Sequence, residues 1–182
     1  MADDVLILID QQKAMEHPVW GPRNNPQAEA NIGRLLDAWR RRRAPIVHVK
    51  HDSTEPHSPF RPGQEGNDFL PATAPLAGEI VVAKTVHSAL IGTGLAARLE
   101  QMGHSSLVVC GVLLANSVEA TVRVAANMGF TVRLPADACW SCDKRDLTGR
   151  LWPAEDVHQL TLALLDGEYA QVTTTDAVLA SL

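Results

Sequence analysis

Residues 106–130 read SLVVCGVLLANSVEATVRVAANMGF, and their reading decides the fold. An apolar run, LVVCGV, within residues 106–112 has the look of a parallel strand buried on both faces. Small and apolar residues follow, and then helical spacing over 117–128, with Gly129 as its stop. Asn116 and Glu119 have the spacing of a capping box, which would put Ser117 at the first helical position. Free N–H groups and the helix dipole favour negative charge there. A thiolate or an oxyanion would gain from that field. A serine hydroxyl gains less, because its alkoxide forms only beside a strong base.

The same alternation runs outward in both directions. VLILI (5–9), PIVHV (45–49), EIVVAK (79–84), FTVRLP (130–135) and YAQVTT (169–174) read as five further strands. Helical patterns fill 26–43, 92–102 and 153–166, the last opened by Pro153. Ala30, Ile32, Leu35, Leu36 and Trp39 form the apolar stripe of the first, and Arg40 to Arg43 read as its solvated, dipole-complementing end. Strands alternating with helices predict an α/β, three-layer αβα fold. Its sheet would be six-stranded, mostly parallel and Rossmann-like, with helices on both faces, in a single domain over 1–182. Residues 51–78 break the pattern with Pro, Gly and Ser, and a loop this long is expected to be a lid or a pocket wall.

Bulk composition excludes several function classes. Of the 182 residues, 46% are hydrophobic and 20% charged, as in an ordinary globule, and the formal net charge of -5 argues against nucleic acid or an anionic membrane as partner. No apolar stretch approaches a membrane span, and acidic residues precede the first apolar run where a signal peptide would be basic, so a cytoplasmic location is expected. Three cysteines, Cys110, Cys139 and Cys142, do not make a disulfide scaffold. Cys139 and Cys142 have CxxC spacing, open to a redox pair or half a zinc site, but two plain loop cysteines is the favoured reading. There is neither a GxGxxG after the first strand nor a P-loop, so no nucleotide cofactor is expected.

In such sheets sites gather beyond the carboxyl ends of the strands, and Asp10, Lys84 and Ser117 stand at three of them. Each alone has a plain explanation, as a cap or a surface charge; their joint placement on one edge is less easily dismissed. LILIDQQ (6–12), VHVKHDS (47–53) with PFRPGQEG (59–66), EIVVAKTVHSALIGTGL (79–95), residues 111–139 and TGRLWPAEDVH (148–158) occur in this order. In that order and spacing the chain resembles the isochorismatase-like (cysteine hydrolase) superfamily, which includes nicotinamidases and other amidases. The resemblance runs nearly end to end. It implies a catalytic Asp10, Lys84 and position 117, a cis peptide between Val112 and Leu113, and an oxyanion hole from the N–H groups of Leu113 and Ser117. It also implies a homodimer or larger assembly.

The chain departs from the family pattern at several points. The family's amidases carry cysteine where this chain has Ser117, threonine is common where it has Leu113 and Leu114, and phenylalanine is usual where it has Leu90. Four readings of Ser117 stay open. It is a replacement that disables the thiol, a weaker nucleophile, or a bystander in an enol-ether hydrolysis with Asp10 as general acid; or the protein only binds its ligand. Amide hydrolysis of a small, partly apolar molecule leads these. Trp20, Leu90, Leu114 and Trp140 are candidates for the pocket wall. His48, His51, Asp52 and His57 lie close in sequence, but without the Asp-x-His order of nicotinamidases, so no metal is expected.

Overall fold

The computed structural model describes residues 4–182. Six strands form one sheet: β1 (Val5–Ile9), β2 (Ile46–His51), β3 (Ile80–Lys84), β4 (Ser106–Gly111), β5 (Thr131–Pro135) and β8 (Gln171–Thr173). Their order is β3-β2-β1-β4-β5-β8, and every pairing is parallel. β1 and β4 sit at the centre, and all five residues of β1 are buried. That is why VLILI and LVVC carry no polar alternation: both faces are covered. β3 lies at the edge, and Val81 and Ala83 on it are exposed.

The major helices are α1 (Ala28–Arg42), α2 (Leu95–Gln101), α3 (Glu119–Asn127) and α4 (Ala154–Leu165). α1 packs on β1 and β4 from one side, together with the short C-terminal α5 (Thr175–Ala180), while α3 and α4 pack together. Ile32, Leu35, Leu36 and Trp39 of α1 are buried in the main core, each contributing about 1.5–3 kcal/mol by leaving water. Gly129, at φ +91, follows the C-terminal end of α3.

Three details differ from the sequence reading. α5 was not anticipated; Thr174 caps it by accepting from the Ala177 N–H, 3.2 Å, and six residues are too few for a periodic signal. Nor was the antiparallel pair β6 (Lys144–Arg145) and β7 (Leu151–Trp152). Asp146 organises the turn between these strands, taking bonds from the Thr148 N–H and hydroxyl and from the Arg150 N–H. Finally, Arg40 is not a solvated helix end. Its guanidinium pairs with Glu79, 2.7 Å, whose other oxygen meets the fully buried His48, 2.8 Å. Burial would raise the Glu79 carboxyl, but bonds from Arg40, the Leu76 N–H and His48 outweigh it and hold it at about 2.

The close approach of β4 to β1 depends on one glycine. Gly111 has φ +120, and a Cβ there would lie 2.3 Å from the Ile9 carbonyl oxygen and 2.7 Å from its nitrogen. Both obstacles are backbone of the central strand and cannot turn aside. Gly111→Ala is therefore expected to cost more than about 4 kcal/mol, enough to lose the soluble, cooperatively melting protein. Thermal unfolding followed by circular dichroism would test it; a variant with wild-type Tm would refute this account of the contact.

Candidate active site

β1, β3 and β4 all end on one edge of the sheet, and their ends deliver Asp10, Lys84 and the segment leading to Ser117. Lys84 ends the edge strand and Asp10 follows the third strand in, so the lysine must reach across β2. Strands about 4.8 Å apart put that span within reach of an extended lysine but not of a shorter side chain. The Lys84 ammonium meets Asp10 Oδ2 at 2.8 Å and Ser117 Oγ at 3.3 Å, and passes His51 Nδ1 of β2 at 3.5 Å. Its side chain is 0% exposed and that of Asp10 6%, so this ion pair lies out of water.

Asp10 has φ +52, the left-handed region, which costs an L-residue about 1–2 kcal/mol and which aspartate tolerates better than most. Its N–H still bonds the Val49 carbonyl, 2.9 Å, and its own carbonyl accepts from the Gln12 N–H, 2.8 Å. Among the described residues Asp10 Oδ1 is buried with no hydrogen-bond partner. Burial pushes the carboxyl above the usual range for aspartate, and the positive charge of Lys84 offsets only part of this.

The Val112–Leu113 peptide is cis. Beyond it the chain does not enter an α-helix at once: Leu114–Val118 form a π-turn, a local geometry found often at functional sites. The capping box expected from Asn116 and Glu119 is absent. Asn116 lies inside the π-turn, no side chain caps it, and Glu119 pairs with Arg123 instead, 2.8 Å. The wider turn lets the Leu113 carbonyl accept from both Asn116 and Val118 N–H groups, at 3.1 and 3.2 Å. Among the described residues the Leu113 N–H donates to no protein acceptor. Thr121 links this turn to the segment after Lys84, donating to the Ser117 carbonyl, 2.7 Å, and accepting from the Ala89 N–H, 3.0 Å.

A cavity of about 150 Å³ opens over these groups. Asp10, Ser117, Val112, Leu113 and Asn116 line one side of it, and His51, His87, Ser58, Phe60, Met15 and Trp20 the rest. Of the four wall candidates, only Trp20 takes that place. Leu90 and Leu114 are buried in the main core; the turn after Gly111 sends Leu113 to the cavity and Leu114 away from it. Trp140 lies behind the wall, 1% exposed, its indole N–H on Glu29 and its face under the Arg23 guanidinium.

The loop after β2 does form a wall, as its length suggested, and two buried amides fasten it. Gln12 donates to the His51 and Asn67 carbonyls and accepts the His51 N–H; Asn67 donates to the His51 and Phe60 carbonyls. Neither amide stood out in the sequence, although Gln12 lies in the stretch that carries the resemblance. The clustered histidines diverge: His48 points to Glu79, His51 to the cavity, and His57 is exposed. Among the described residues no group of three His, Cys, Asp or Glu could hold a metal ion. All three cysteines are free and buried, and burial pushes the Cys139 thiol up to about 12, a poor start for redox exchange.

Comparison with known proteins identifies the family of the chain. A model of the isochorismatase domain matches residues 4–177. The isochorismatase family protein YrdC of Bacillus subtilis (strain 168) is 35% identical over 174 residues, 96% of this chain and 93% of its own. Streptothricin hydrolase of Streptomyces noursei is 37% identical over 136 residues, 73% of this chain and 48% of its own. A crystal structure of an isochorismatase-family protein from Chromobacterium violaceum ATCC 12472 superposes with a TM-score of 0.96 at 51% identity, covering 98% of this chain and 93% of that one.

Removing the ammonium would strand the buried carboxylate. Lys84→Met is expected to lose about 3–5 kcal/mol at neutral pH. The sign with pH follows from Asp10, whose folded pKa lies above the unfolded 3.8. The penalty for keeping it ionised grows as pH rises through that folded value and vanishes below 3.8. Urea unfolding of both proteins from pH 4 to 8 should show the gap widening; a constant gap would contradict it.

Proposed function

The chain belongs to the isochorismatase family of hydrolases, and on that premise we propose that it hydrolyses the C–N bond of a small amide, with Ser117 as nucleophile and Asp10 as proton carrier. The observation that carries this reading is the sharing of one ammonium. Lys84 donates to Asp10 and to the Ser117 oxygen, so the hydroxyl proton is left to face Asp10, which also feels a side-chain hydrogen bond from Ser117. An ammonium engaged in this way is no base; the raised carboxylate is the better one.

In the first half-reaction Asp10 takes the Ser117 proton as Oγ bonds to the amide carbon. Lys84 steadies the charge on Oγ, and the Leu113 and Ser117 N–H groups receive the oxyanion. The C–N bond breaks as Asp10 returns its proton to the departing nitrogen, which leaves as ammonia or an amine. In the second half, water gives a proton to Asp10 and attacks the ester. The Ser117–carbonyl bond then breaks, and the proton returns to Oγ. A name such as streptothricin hydrolase on a relative supports hydrolysis and says nothing of the bond cleaved here.

One observation favours a second reading. A raised Asp10 also suits a general acid, as in enol-ether hydrolysis without a nucleophile. The lining favours the amide. A dicarboxylate such as isochorismate calls for strong cationic partners; among the described residues no arginine lines the cavity, Lys84 is engaged by Asp10, and His87 with His51 is what remains.

Ser117→Ala and Asp10→Asn, assayed for ammonia release on a panel of small amides, are each expected to lose about 10²–10⁴ in kcat/KM, and Ser117→Cys to retain or raise turnover. With Asp10 as base, activity should rise with pH through a value above the free aspartate range. Turnover of an enol ether that survives Ser117→Ala and falls as pH rises would establish the general-acid route instead. Binding without turnover in any form would leave a binding protein.

A further inference from the structure

His51 takes no part in the steps above, yet its surroundings fix what it can do. A lysine ammonium only donates, so the 3.5 Å contact with Lys84 makes His51 Nδ1 an acceptor and leaves the ring proton on Nε2. Nε2 has no protein partner among the described residues and is not among the buried polar atoms, while the residue lines the cavity. The ring is held firmly. Its backbone is clamped by Gln12 and Asn67, and Phe60 meets it edge to face at 5.6 Å between centroids. Burial, with the charges of Lys84 and His87 nearby, drives its pKa down to about 4, so the ring is neutral at pH 7. Ser58 and Asn116, also in the wall, can each donate or accept; His51 can only donate.

Resting on the amide reading of this site, we propose that His51 selects the substrate: its Nε2–H donates to an uncharged acceptor on the acyl group, so the site takes compact, neutral carboxamides that carry such an acceptor. The preference for a compact acyl group comes from the cavity, about 150 Å³. An apolar cavity of roughly that volume holds a benzene ring, so one six-membered ring fits against Trp20, Phe60 and Met15. The acceptor requirement comes from the donor, because a site built around a fixed N–H discriminates against an analogue that leaves it unpaired.

The probes are cyclohexanecarboxamide and tetrahydropyran-2-, -3- and -4-carboxamide, in which an ether oxygen replaces one ring CH₂. Their binding to the Ser117→Ala protein is measured by calorimetry, so turnover plays no part. At least one ether isomer should bind about 10-fold or more tighter than the carbocycle. Adding His51→Leu should abolish that preference while changing carbocycle affinity little, and adding His51→Gln, which keeps an N–H donor, should retain part of it. No preference in Ser117→Ala alone, a measurement independent of whether the leucine variant folds, overturns the proposal. So does a preference that survives in a folded leucine variant. Ammonia release from the same amides by the unmodified protein tests the underlying reading separately. Preference without turnover removes the amide reaction and keeps the donor site; turnover without preference does the reverse.

Discussion

A lysine ammonium with no exposure to water is the constraint from which the rest of the site follows. Taking such an ion out of water costs several kcal/mol unless its three protons find acceptors. Lys84 finds them on three different elements: Asp10 after β1, Ser117 in the π-turn, and, at longer range, His51 at the end of β2. One side chain thereby ties four strand ends into a unit. No single element can shift without stranding a charge, and the unit holds its shape before any substrate arrives. Preorganisation of this kind is what transition-state stabilisation requires.

The other half of the arrangement is an acceptor left unfilled. Among the described residues Asp10 Oδ1 is buried without a partner and the Leu113 N–H is without a protein acceptor. Unmet polar groups are costly in a native interior, and the proposed reaction would give both a partner. The left-handed Asp10 backbone is a further local cost at the same point.

Much of this was legible in the sequence because it rested on long, uniform signals. β1 and β4 are unbroken apolar runs, and polar residues at their ends could mean little else than one edge of a parallel sheet. What was hidden depended on turn geometry. The spacing of Asn116 and Glu119 satisfies a capping rule, yet the chain takes a π-turn there, for which no sequence period exists. The facing of Leu113 and Leu114 is set by the same turn, so neighbours equal in chemistry ended on opposite sides of the wall. Arg40 looked like a helix end because helix position was the only local information; its partner Glu79 is 39 residues away. Trp140 was misplaced for a similar reason, since a tryptophan in a loop can be packing as readily as wall.

The π-turn also bears on how the chain can change in length. A π-turn holds one residue more than the α-helical turn it replaces. Deleting any residue of Leu114–Val118 would let the segment relax into the helix that follows, turning what lies at position 117 by roughly 100° about the axis. The hydroxyl would leave the ammonium while the helix itself gained regularity. Shortening of this stretch is thus favoured by local stability and opposed by the site alone, so its length among relatives records whether the chemistry is retained more directly than the identity of any one residue.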